Sequence, residues 1–337
     1  MSDVAQTSGD APLALVVGGS RGLGLAAARQ LARRGHRLVL VSRNAEDLER
    51  AATTLRGEGA VVEVHACDVR DEAGMEAVVT TVEEQTGPID VLLHVAGVIQ
   101  VGPLASMSKD DFREAIDIML WGPITTALAV TPHMVSRGRG RVGIVTSVGG
   151  IVPAPHLLPY TTAKYGATGF SRGLRSELAG TGVTVTTVEP GLMRTGSHLN
   201  AQFKGDQGRE FAWFSAADNI PLLSMDADRA ARVIVEAVLA GQSVVQPTPL
   251  AKVAGRVDAL APRATSLLLG AVTRLLPSAP PTATHEKIPG HEAQQRLRPR
   301  ARTQVDWITT LGRRAAKRLN QSTLPTGGTT PEPTVLS

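Results

Sequence analysis

The chain has 337 residues, 42% of them hydrophobic and 20% charged, with a formal net charge of +4. That length can bury one large core or two modest ones, and so small a net charge does not itself indicate a nucleic-acid partner. A single cysteine, Cys67, excludes an internal disulfide framework and predicts a reducing, cytoplasmic location. No apolar run approaches the roughly 20 residues of a membrane span, and the polar residues 1–10 lack the regions of a signal peptide.

The first predicted strand, residues 13–17, leads directly into a glycine-rich turn and then into a helix over residues 25–34. A strand, a glycine turn and a helix in this order form the context of a dinucleotide-phosphate site. Glycines permit a close backbone approach, and the helix N-terminus presents unpaired N–H groups to the phosphate. The predicted binding residues are Gly18, Ser20, Arg21, Gly22, Leu23 and Gly24. A glycine-rich turn without a ligand is the alternative.

A second apolar run, residues 37–41, predicts the next strand and ends in Ser42 and Arg43. An NAD-selective site carries an acidic residue near this strand end, where it holds the ribose 2′-hydroxyl. Serine and arginine favour a 2′-phosphate instead, because a guanidinium offers that phosphate a fork of donors. Arg21 could reach the same phosphate from the glycine turn. The pattern therefore predicts NADP(H) in preference to NAD(H), with simple exposure of either arginine as the alternative.

Tyr160 and Lys164 stand four residues apart and therefore on one face of a predicted helix, whose first turn suits Pro159. An unperturbed phenol, with a pKa of about 10, is a poor base at neutral pH, and a nearby ammonium lowers that pKa. Ser147, thirteen residues before the tyrosine, could hold a carbonyl oxygen beside it. The three residues predict proton transfer at a carbonyl oxygen, although a solvated surface pair would also explain Tyr160 and Lys164.

With these motifs in place, the chain resembles the short-chain dehydrogenase/reductase family over about residues 11–245. The family pattern Gly-x-x-x-Gly-x-Gly is matched at residues 18–24, and Pro-Gly-x-x-x-Thr at residues 190–195. The resemblance implies a Rossmann-type, doubly wound, seven-stranded parallel sheet flanked by helices, which agrees with the predicted alternation of strands and helices. It also implies an oxidoreductase that often forms dimers or tetramers, and hence a homo-oligomer.

The resemblance assigns roles residue by residue. Ser147, Tyr160 and Lys164 match the catalytic residues, with Lys164 holding the nicotinamide ribose. Further cofactor contacts are implied for Asp68, Val69, Ala96, Gly97, Tyr160, Lys164, Pro190, Gly191 and Thr195. Two positions depart from the family: His94 stands where an asparagine ties strands together, and Met119 aligns with an asparagine that supports a proton-relaying water. We expect His94 to serve as a structural hydrogen-bonder, whereas methionine cannot usefully hold that water.

The segment after Thr195 is predicted to line or cover the substrate pocket, since substrates lie over the carboxyl ends of the strands. This segment, residues 196–219, holds four of the chain's ten aromatic residues: Phe203, Phe211, Trp213 and Phe214. An apolar lid over an apolar substrate is one interpretation, and anchoring of a long loop is a compatible one.

Beyond residue 247 the resemblance weakens, and a C-terminal helical extension is predicted over residues 248–320. Residues 250–260 and 264–276 read as two amphipathic helices, for which packing on the protein is favoured over a membrane surface. Residues 277–290 form a proline-rich linker. Residues 305–319 read as a docked helix with Trp307, Ile308 and Leu311 on its apolar side, so no nucleic-acid partner is expected. Residues 1–10 and 321–337 are predicted to be disordered.

The sequence thus predicts a Rossmann-fold domain over residues 11–247 and an NADP(H)-dependent enzyme that interconverts a carbonyl and an alcohol on a small, apolar molecule. No metal site is expected. Met119 keeps open an alternative, a cofactor-binding sensor or scaffold with weak or no catalysis.

Overall fold

The computed structural model describes residues 11–220, 224–280 and 285–321. The disorder predicted for residues 1–10 lies outside these ranges, as does that predicted for residues 321–337 except at Gln321. The strands of the described chain are β1 Leu13–Val17, β2 Arg37–Ser42, β3 Val62–Ala66, β4 Ile89–His94, β5 Gln100–Val101, β6 Gly140–Val145, β7 Val183–Val188, β8 Leu192–Arg194, β9 Gln202–Phe203, β10 Ser224–Asp226, β11 Val244–Val245 and β12 Ile288–Pro289.

The helices alternate with these strands through most of the chain. They are α1 Gly22–Ala32, α2 Ala45–Gly57, α3 Glu72–Thr81, α4 Lys109–Ile116, α5 Gly122–Ser136, α6 Leu158–Glu177, α7 Ser197–Asn200, α8 Gln207–Asn219, α9 Ala227–Leu239, α10 Pro249–Leu260, α11 Pro262–Leu275, α12 Gly290–Ala293, α13 Pro299–Ile308 and α14 Thr310–Arg318. Short π-helical turns lie at Val82–Thr86 and Asp117–Trp121, and 3₁₀ turns at Leu104–Ser106, Val148–Gly150 and Gln294–Arg296.

The main sheet has seven strands in the order β11-β7-β6-β4-β1-β2-β3, and its strand pairs are parallel. All five residues of β1 are buried, as expected of a central strand covered by helices on both faces. One hydrophobic core lies on each face of the sheet. The predicted doubly wound, Rossmann-type parallel sheet is therefore confirmed.

A third, smaller core stands beside the main sheet and joins the predicted lid to the C-terminal extension. Strand β9 pairs with β5 on one side and with β12 on the other. Phe203, Phe211 and Phe214 are buried there against Ile288 and Val305 from the extension. The three phenylalanines therefore anchor the lid segment in a core, and residues 288–289 of the proline-rich linker form a strand.

Helices α4 and α5 run on through the π-helical turn as one helical stretch, Lys109–Ser136. By length and composition this stretch could cross a membrane, contrary to our reading of the sequence, yet 56% of its apolar window is buried within the fold. Burial of that extent is typical of a core helix in a globular protein, so the stretch is weak evidence for a membrane span.

The C-terminal extension differs from its prediction in two places. The predicted helix over residues 305–319 is divided at Thr309 into α13 and α14, so that Trp307 is 81% exposed while Ala315, Ala316 and Leu319 are buried. Helices α10 and α11 were expected to pack their apolar sides on the protein. Most of their large apolar side chains instead lie in solvent.

Candidate functional site

The three predicted catalytic residues meet at the carboxyl edge of the sheet. Ser147 follows β6, and its Oγ accepts a hydrogen bond from the Gly149 amide at 3.0 Å. Tyr160 and Lys164 lie on α6, with Pro159 in its first turn. Lys164 Nζ lies 5.8 Å from the centroid of the Tyr160 ring and donates to the Val145 carbonyl at 2.8 Å. The fold therefore brings a hydroxyl, a phenol and an ammonium together on two adjoining elements.

Burial dominates the electrostatics of this group. It lowers the pKa of Lys164 to about 8, because an ammonium loses its hydration in the interior. Burial also raises the pKa of Tyr160, although a hydrogen bond with Ser147 acts in the opposite direction. At neutral pH the phenol therefore carries its proton and the lysine is mostly charged, a combination suited to giving a proton to a substrate oxygen.

His94 and Met119, the two departures from the family pattern, both lie near Lys164. Both ring nitrogens of His94 lack a hydrogen-bond partner among the described residues, and burial, then the charge of Lys164, lowers the pKa of His94 to about 3. The expectation that His94 acts as a hydrogen-bonder is therefore wrong. Met119 is buried in the π-helical turn. A Cβ on Gly97 would lie 3.5 Å from Met119 Sδ and 3.9 Å from Lys164 Nζ, so the thioether and the ammonium both border Gly97.

The glycine-rich turn has the backbone shape that close contact requires. Gly18 and Gly22 have φ values of +84° and +57°, in the left-handed region that favours glycine. A Cβ on Gly18 would lie 2.6 Å from the Ala96 amide nitrogen, so this turn packs directly on the loop after β4. Leu23 and Gly24 lie in the first turn of α1, whose N-terminal amides suit a phosphate.

The end of the extension contacts this same turn. The Gly22 amide donates to the Leu319 carbonyl at 2.9 Å, and Asn320 Nδ2 donates to the Ser20 carbonyl at 3.0 Å. The Gln321 side chain packs on Gly22, and Gln321 Oε1 accepts from Asn200 Nδ2 at 2.8 Å. Residues 319–321, hereafter the C-terminal plug, thus take up one amide that a phosphate would use. The glycine-rich turn, hereafter the phosphate cradle, has the backbone shape for a phosphate. A phosphate can use the Gly22 amide once the plug releases it.

The two arginines predicted to hold a 2′-phosphate have different surroundings. Arg43, at the end of β2, is 57% exposed in its side chain, and its Nη1 lies 3.9 Å from Asp68 Oδ2. Ser42 Oγ accepts a hydrogen bond from Ser20 Oγ at 3.0 Å. Arg21 instead donates to Asn200 Oδ1 at 3.2 Å. Arg43 is therefore open to a ligand at the strand end, whereas Arg21 is tied to the lid segment.

The remaining predicted cofactor residues also lie at this edge. The Val148 amide donates to the Pro190 carbonyl at 2.8 Å, which fixes the loop after β7 beside the turn that follows Ser147. The Gly191 amide donates to Thr248 Oγ1 at 3.2 Å, and Thr195 Oγ1 accepts from the Ser197 amide at 3.1 Å. Val69 is buried against Gly122.

A buried polar network connects the loop between Ser147 and Tyr160 to α8, in the segment predicted to cover the substrate pocket. His156 has a left-handed φ of 61°, and its Nδ1 lies 2.9 Å from a carboxylate oxygen of Glu210. Trp213 Nε1 donates to Glu210 at 2.6 Å, and Glu210 is fully buried. Left-handed backbone in a non-glycine residue persists where surrounding contacts hold it. The network therefore fixes the segment between Ser147 and Tyr160 to α8.

Sequence reasoning did not identify Asn200, His156, Glu210 or the plug. The left-handed conformation of His156 leaves no mark in the residue type, and the plug lies nearly three hundred residues from the turn that it contacts. The position of Glu210 three residues before Trp213 was the one available signal, because buried indole N–H groups need an acceptor.

Known proteins share both the sequence and the fold of this chain. The family model described as short chain dehydrogenase matches residues 12–204. Gluconate 5-dehydrogenase of Gluconobacter oxydans is 33% identical over 182 residues, which cover 54% of this chain and 71% of the relative.

Among solved structures, a variant of actinorhodin polyketide ketoreductase with NADPH has a TM-score of 0.63 and 28% identity, covering 72% of this chain and 97% of that one. A short-chain dehydrogenase from Streptomyces avermitilis has a TM-score of 0.67 and 25% identity, and covers 80% and 99% of the two chains. The family-model match includes β1 to β7 and the residues at their carboxyl ends from Gly18 to Thr195.

Proposed function

Since the chain belongs to the short-chain dehydrogenase family and is an oxidoreductase of that family, we propose that it interconverts a ketone and an alcohol with NADP(H) as its preferred cofactor. The observation that carries the proposal is the meeting of Ser147, Tyr160 and Lys164 beside a glycine-rich turn. The bound cofactor supplies or accepts the hydride, and the protein contributes orientation, proton transfer and electrostatics.

Each of the three residues has a separate task at the substrate oxygen. Tyr160, protonated at neutral pH, donates its proton to the carbonyl oxygen in reduction and takes it back in oxidation. Ser147 hydrogen-bonds the same oxygen and keeps it beside the phenol. Lys164, charged below its pKa of about 8, stabilises the negative charge that grows on Tyr160 as the proton leaves.

The preference for NADP(H) rests on Ser42 and Arg43. Their strand end carries no carboxylate at the position where one would hold a 2′-hydroxyl, and the exposed Arg43 side chain can grip a 2′-phosphate. Support from relatives consists of the NADPH in the polyketide ketoreductase structure and the NADP in two further similar structures.

We infer that the substrate is apolar and that the enzyme is cytoplasmic and homo-oligomeric. Trp213 on α8 is half-buried at the margin of the third core, where an apolar molecule over Tyr160 would meet it. Exposed apolar side chains on the helices near the site, Trp121, Leu128 and Tyr165, offer surfaces for subunit contact. Chromatography with light scattering measures the oligomeric state.

Titration of the protein with NADPH and NADH, followed by quenching of tryptophan fluorescence, tests the cofactor proposal. We expect tighter binding of NADPH, and loss of that preference in Arg43→Asp, since a carboxylate repels the 2′-phosphate. Arg70→Asp, which alters a neighbouring arginine paired with Asp68, is the control for charge. Binding of neither nucleotide by folded protein would contradict the proposal.

A second candidate, a cofactor-binding protein with weak catalysis, is favoured by one contact. The thioether of Met119 borders Gly97, as Lys164 does, and it offers no useful hydrogen bond. Met119→Asn separates the two candidates. A rise in kcat without a change in NADPH affinity would show that the methionine limits proton relay, whereas unchanged turnover in an active enzyme would remove the basis of this candidate.

A further inference from the structure

Helices α10 and α11 form a hairpin whose outward apolar side chains lie in solvent. Leu260, Leu267 and Leu275 are 86%, 77% and 84% exposed, and further exposed side chains are Leu250, Val253, Val257, Leu268 and Val272. Isolated apolar residues are common on protein surfaces, but a contiguous group of this size marks an interaction site. We call these eight side chains the hairpin face.

On α10 the spacing of the residues places the hairpin face opposite the side that packs on the protein. Along α10 the exposed large apolar residues are at positions 250, 253, 257 and 260, which form a single stripe at helical spacing. The inward side of α10 carries the buried Ala251 and Gly255, and a Cβ on Gly255 would lie 2.8 Å from Ile151 Cδ1. On α11 the buried residue is Thr265. Leu268, Val272 and Leu275 follow it on the same side of the helix and are nevertheless exposed, so α11 lies in solvent over most of its surface.

The charges of the hairpin are mostly of one sign. Between residues 249 and 275 the basic residues are Lys252, Arg256, Arg263 and Arg274, and all four are exposed; the one acidic residue is Asp258. On α11 the two arginines lie at the flank of the apolar stripe. Leucines on one face with arginines and lysines at its border are the signature of a helix that lies in a membrane interface.

We propose that the hairpin face is a docking surface for an anionic lipid membrane. The leucine and valine side chains enter the boundary between headgroups and acyl chains, while the four cations meet anionic headgroups at its border. A second copy of the chain fits this face less well. A twofold interface would bring the same cations of both copies together, and like charges across an interface are unfavourable.

The hairpin lies close to the catalytic residues. Ile151, which contacts α10, follows Ser147 by four positions, and the 3₁₀ turn Val148–Gly150 lies between them. A membrane bound at the hairpin face would therefore adjoin the carboxyl edge of the sheet, where an apolar substrate could enter. The docking proposal itself depends only on the surface and stands apart from the proposed reaction.

Sedimentation with vesicles tests the apolar part of the surface. The full chain is mixed with vesicles of phosphatidylcholine alone or with about one third phosphatidylglycerol, and bound protein is measured. We expect Leu260→Asp/Leu275→Asp to lower binding to the anionic vesicles by about tenfold or more. The control, Val61→Asp/Leu104→Asp, adds the same charge at two other exposed apolar positions, 58% and 64% exposed, and should leave binding within about twofold. Equal losses in both pairs, or no binding by the unaltered protein, would overturn the proposal.

A second pair of variants tests the charges. Arg263→Gln/Arg274→Gln should weaken binding to the anionic vesicles at least about threefold, while Arg300→Gln/Arg302→Gln, on α13, should change it little. Light scattering of the same proteins in solution addresses self-association. If Leu260→Asp/Leu275→Asp instead converts an oligomer into monomers and the unaltered protein ignores vesicles, the hairpin face is a subunit interface and the lipid proposal fails.

Discussion

Tyr160 and Tyr165 are the two tyrosines of the chain, and both lie on α6. Only Tyr160 faces Ser147 and Lys164, whereas Tyr165 is 40% exposed. We expect Tyr160→Phe to lower kcat by about 10²- to 10⁴-fold, the usual contribution of a positioned proton donor, with a much smaller effect on NADPH affinity because the ring remains. Tyr165→Phe makes the same chemical change on the other side of the helix and should retain activity. Comparable losses in the two variants would contradict the assignment.

His94 makes stability depend on acidity. Its pKa is about 3 in the folded protein and about 6.5 in an unfolded chain, so the unfolded state takes up the proton first. Stability is therefore lost as the pH falls below about 6.5. Between pH 6.5 and pH 4.5 this one residue should reduce the free energy of unfolding by about 2 kcal/mol.

Denaturant unfolding of the protein and of His94→Leu across this pH range measures that contribution. The variant should show a shallower loss of stability towards acid, because it has no imidazole to protonate. It should also be at least as stable at pH 7, since two buried nitrogens without partners are removed. His133→Leu, at an exposed site on α5, controls for the substitution. Parallel curves for the protein and His94→Leu would show that His94 does not bind protons differently on unfolding.

At the scale of elements, the lid helix α8 is fixed by the carboxylate of Glu210. Glu210→Ala leaves the His156 ring and the Trp213 indole without their acceptor, at a cost of about 2 to 4 kcal/mol in the free energy of unfolding. Thermal denaturation should show the loss, and the KM for an apolar ketone should rise while NADPH affinity stays constant. Glu236→Ala, which removes an exposed carboxylate paired with Arg34, should cost no more than about 0.5 kcal/mol. A stable Glu210→Ala protein would show that the network does not hold the lid.

Much of the element pattern could be predicted because local spacing encodes it. The strand over residues 13–17, the glycine turn and the helix carrying Tyr160 and Lys164 each follow from periodicity and turn residues. The third core could not be predicted in this way, since Phe203 meets Ile288 across more than eighty residues. Nor did periodicity reveal that Thr309 divides the last helix and leaves Trp307 in solvent.

The exposure of the hairpin face could not be predicted either, for a similar reason. The amphipathic pattern of α11 predicted a helix correctly, but an apolar stripe does not show what it will pack against. The stripe was expected to pack on the protein, yet in the structure Thr265 is buried and Leu267, Leu268 and Leu275 are exposed. A periodic pattern thus determines the element, and only the tertiary arrangement determines which side faces inward.

For the molecule as a whole, the C-terminal plug sets a condition on cofactor binding. Its residues take up the Gly22 amide and bridge the turn to Asn200. If the plug has left Gly22 in only a fraction of the molecules, and only those bind NADPH, the apparent Kd for NADPH rises by the inverse of that fraction. We expect Asn320→Ala/Gln321→Ala to lower the Kd for NADPH by about threefold or more, because the plug then holds Gly22 less firmly.

Fluorescence titration measures that Kd, and hydrogen exchange at the Gly22 amide gives a readout independent of the cofactor. Exchange should be faster in the double variant, since its acceptor, the Leu319 carbonyl, is less firmly held. Gln295→Ala, at an exposed position of the extension, is the control and should change neither quantity. An unchanged Kd together with faster exchange would show that the plug and the phosphate do not compete.

The contact between Gly22 and Leu319 also bears on how the protein is made. Synthesis proceeds from the N-terminus, and domains generally fold as units while the chain is still growing. The strands and helices around β1 can assemble early, but Leu319, the partner of Gly22, is synthesised nearly three hundred residues after it. The nascent chain therefore passes through a stage in which the sheet is complete and the phosphate cradle is still uncovered, so a nucleotide can reach the cradle before the plug does.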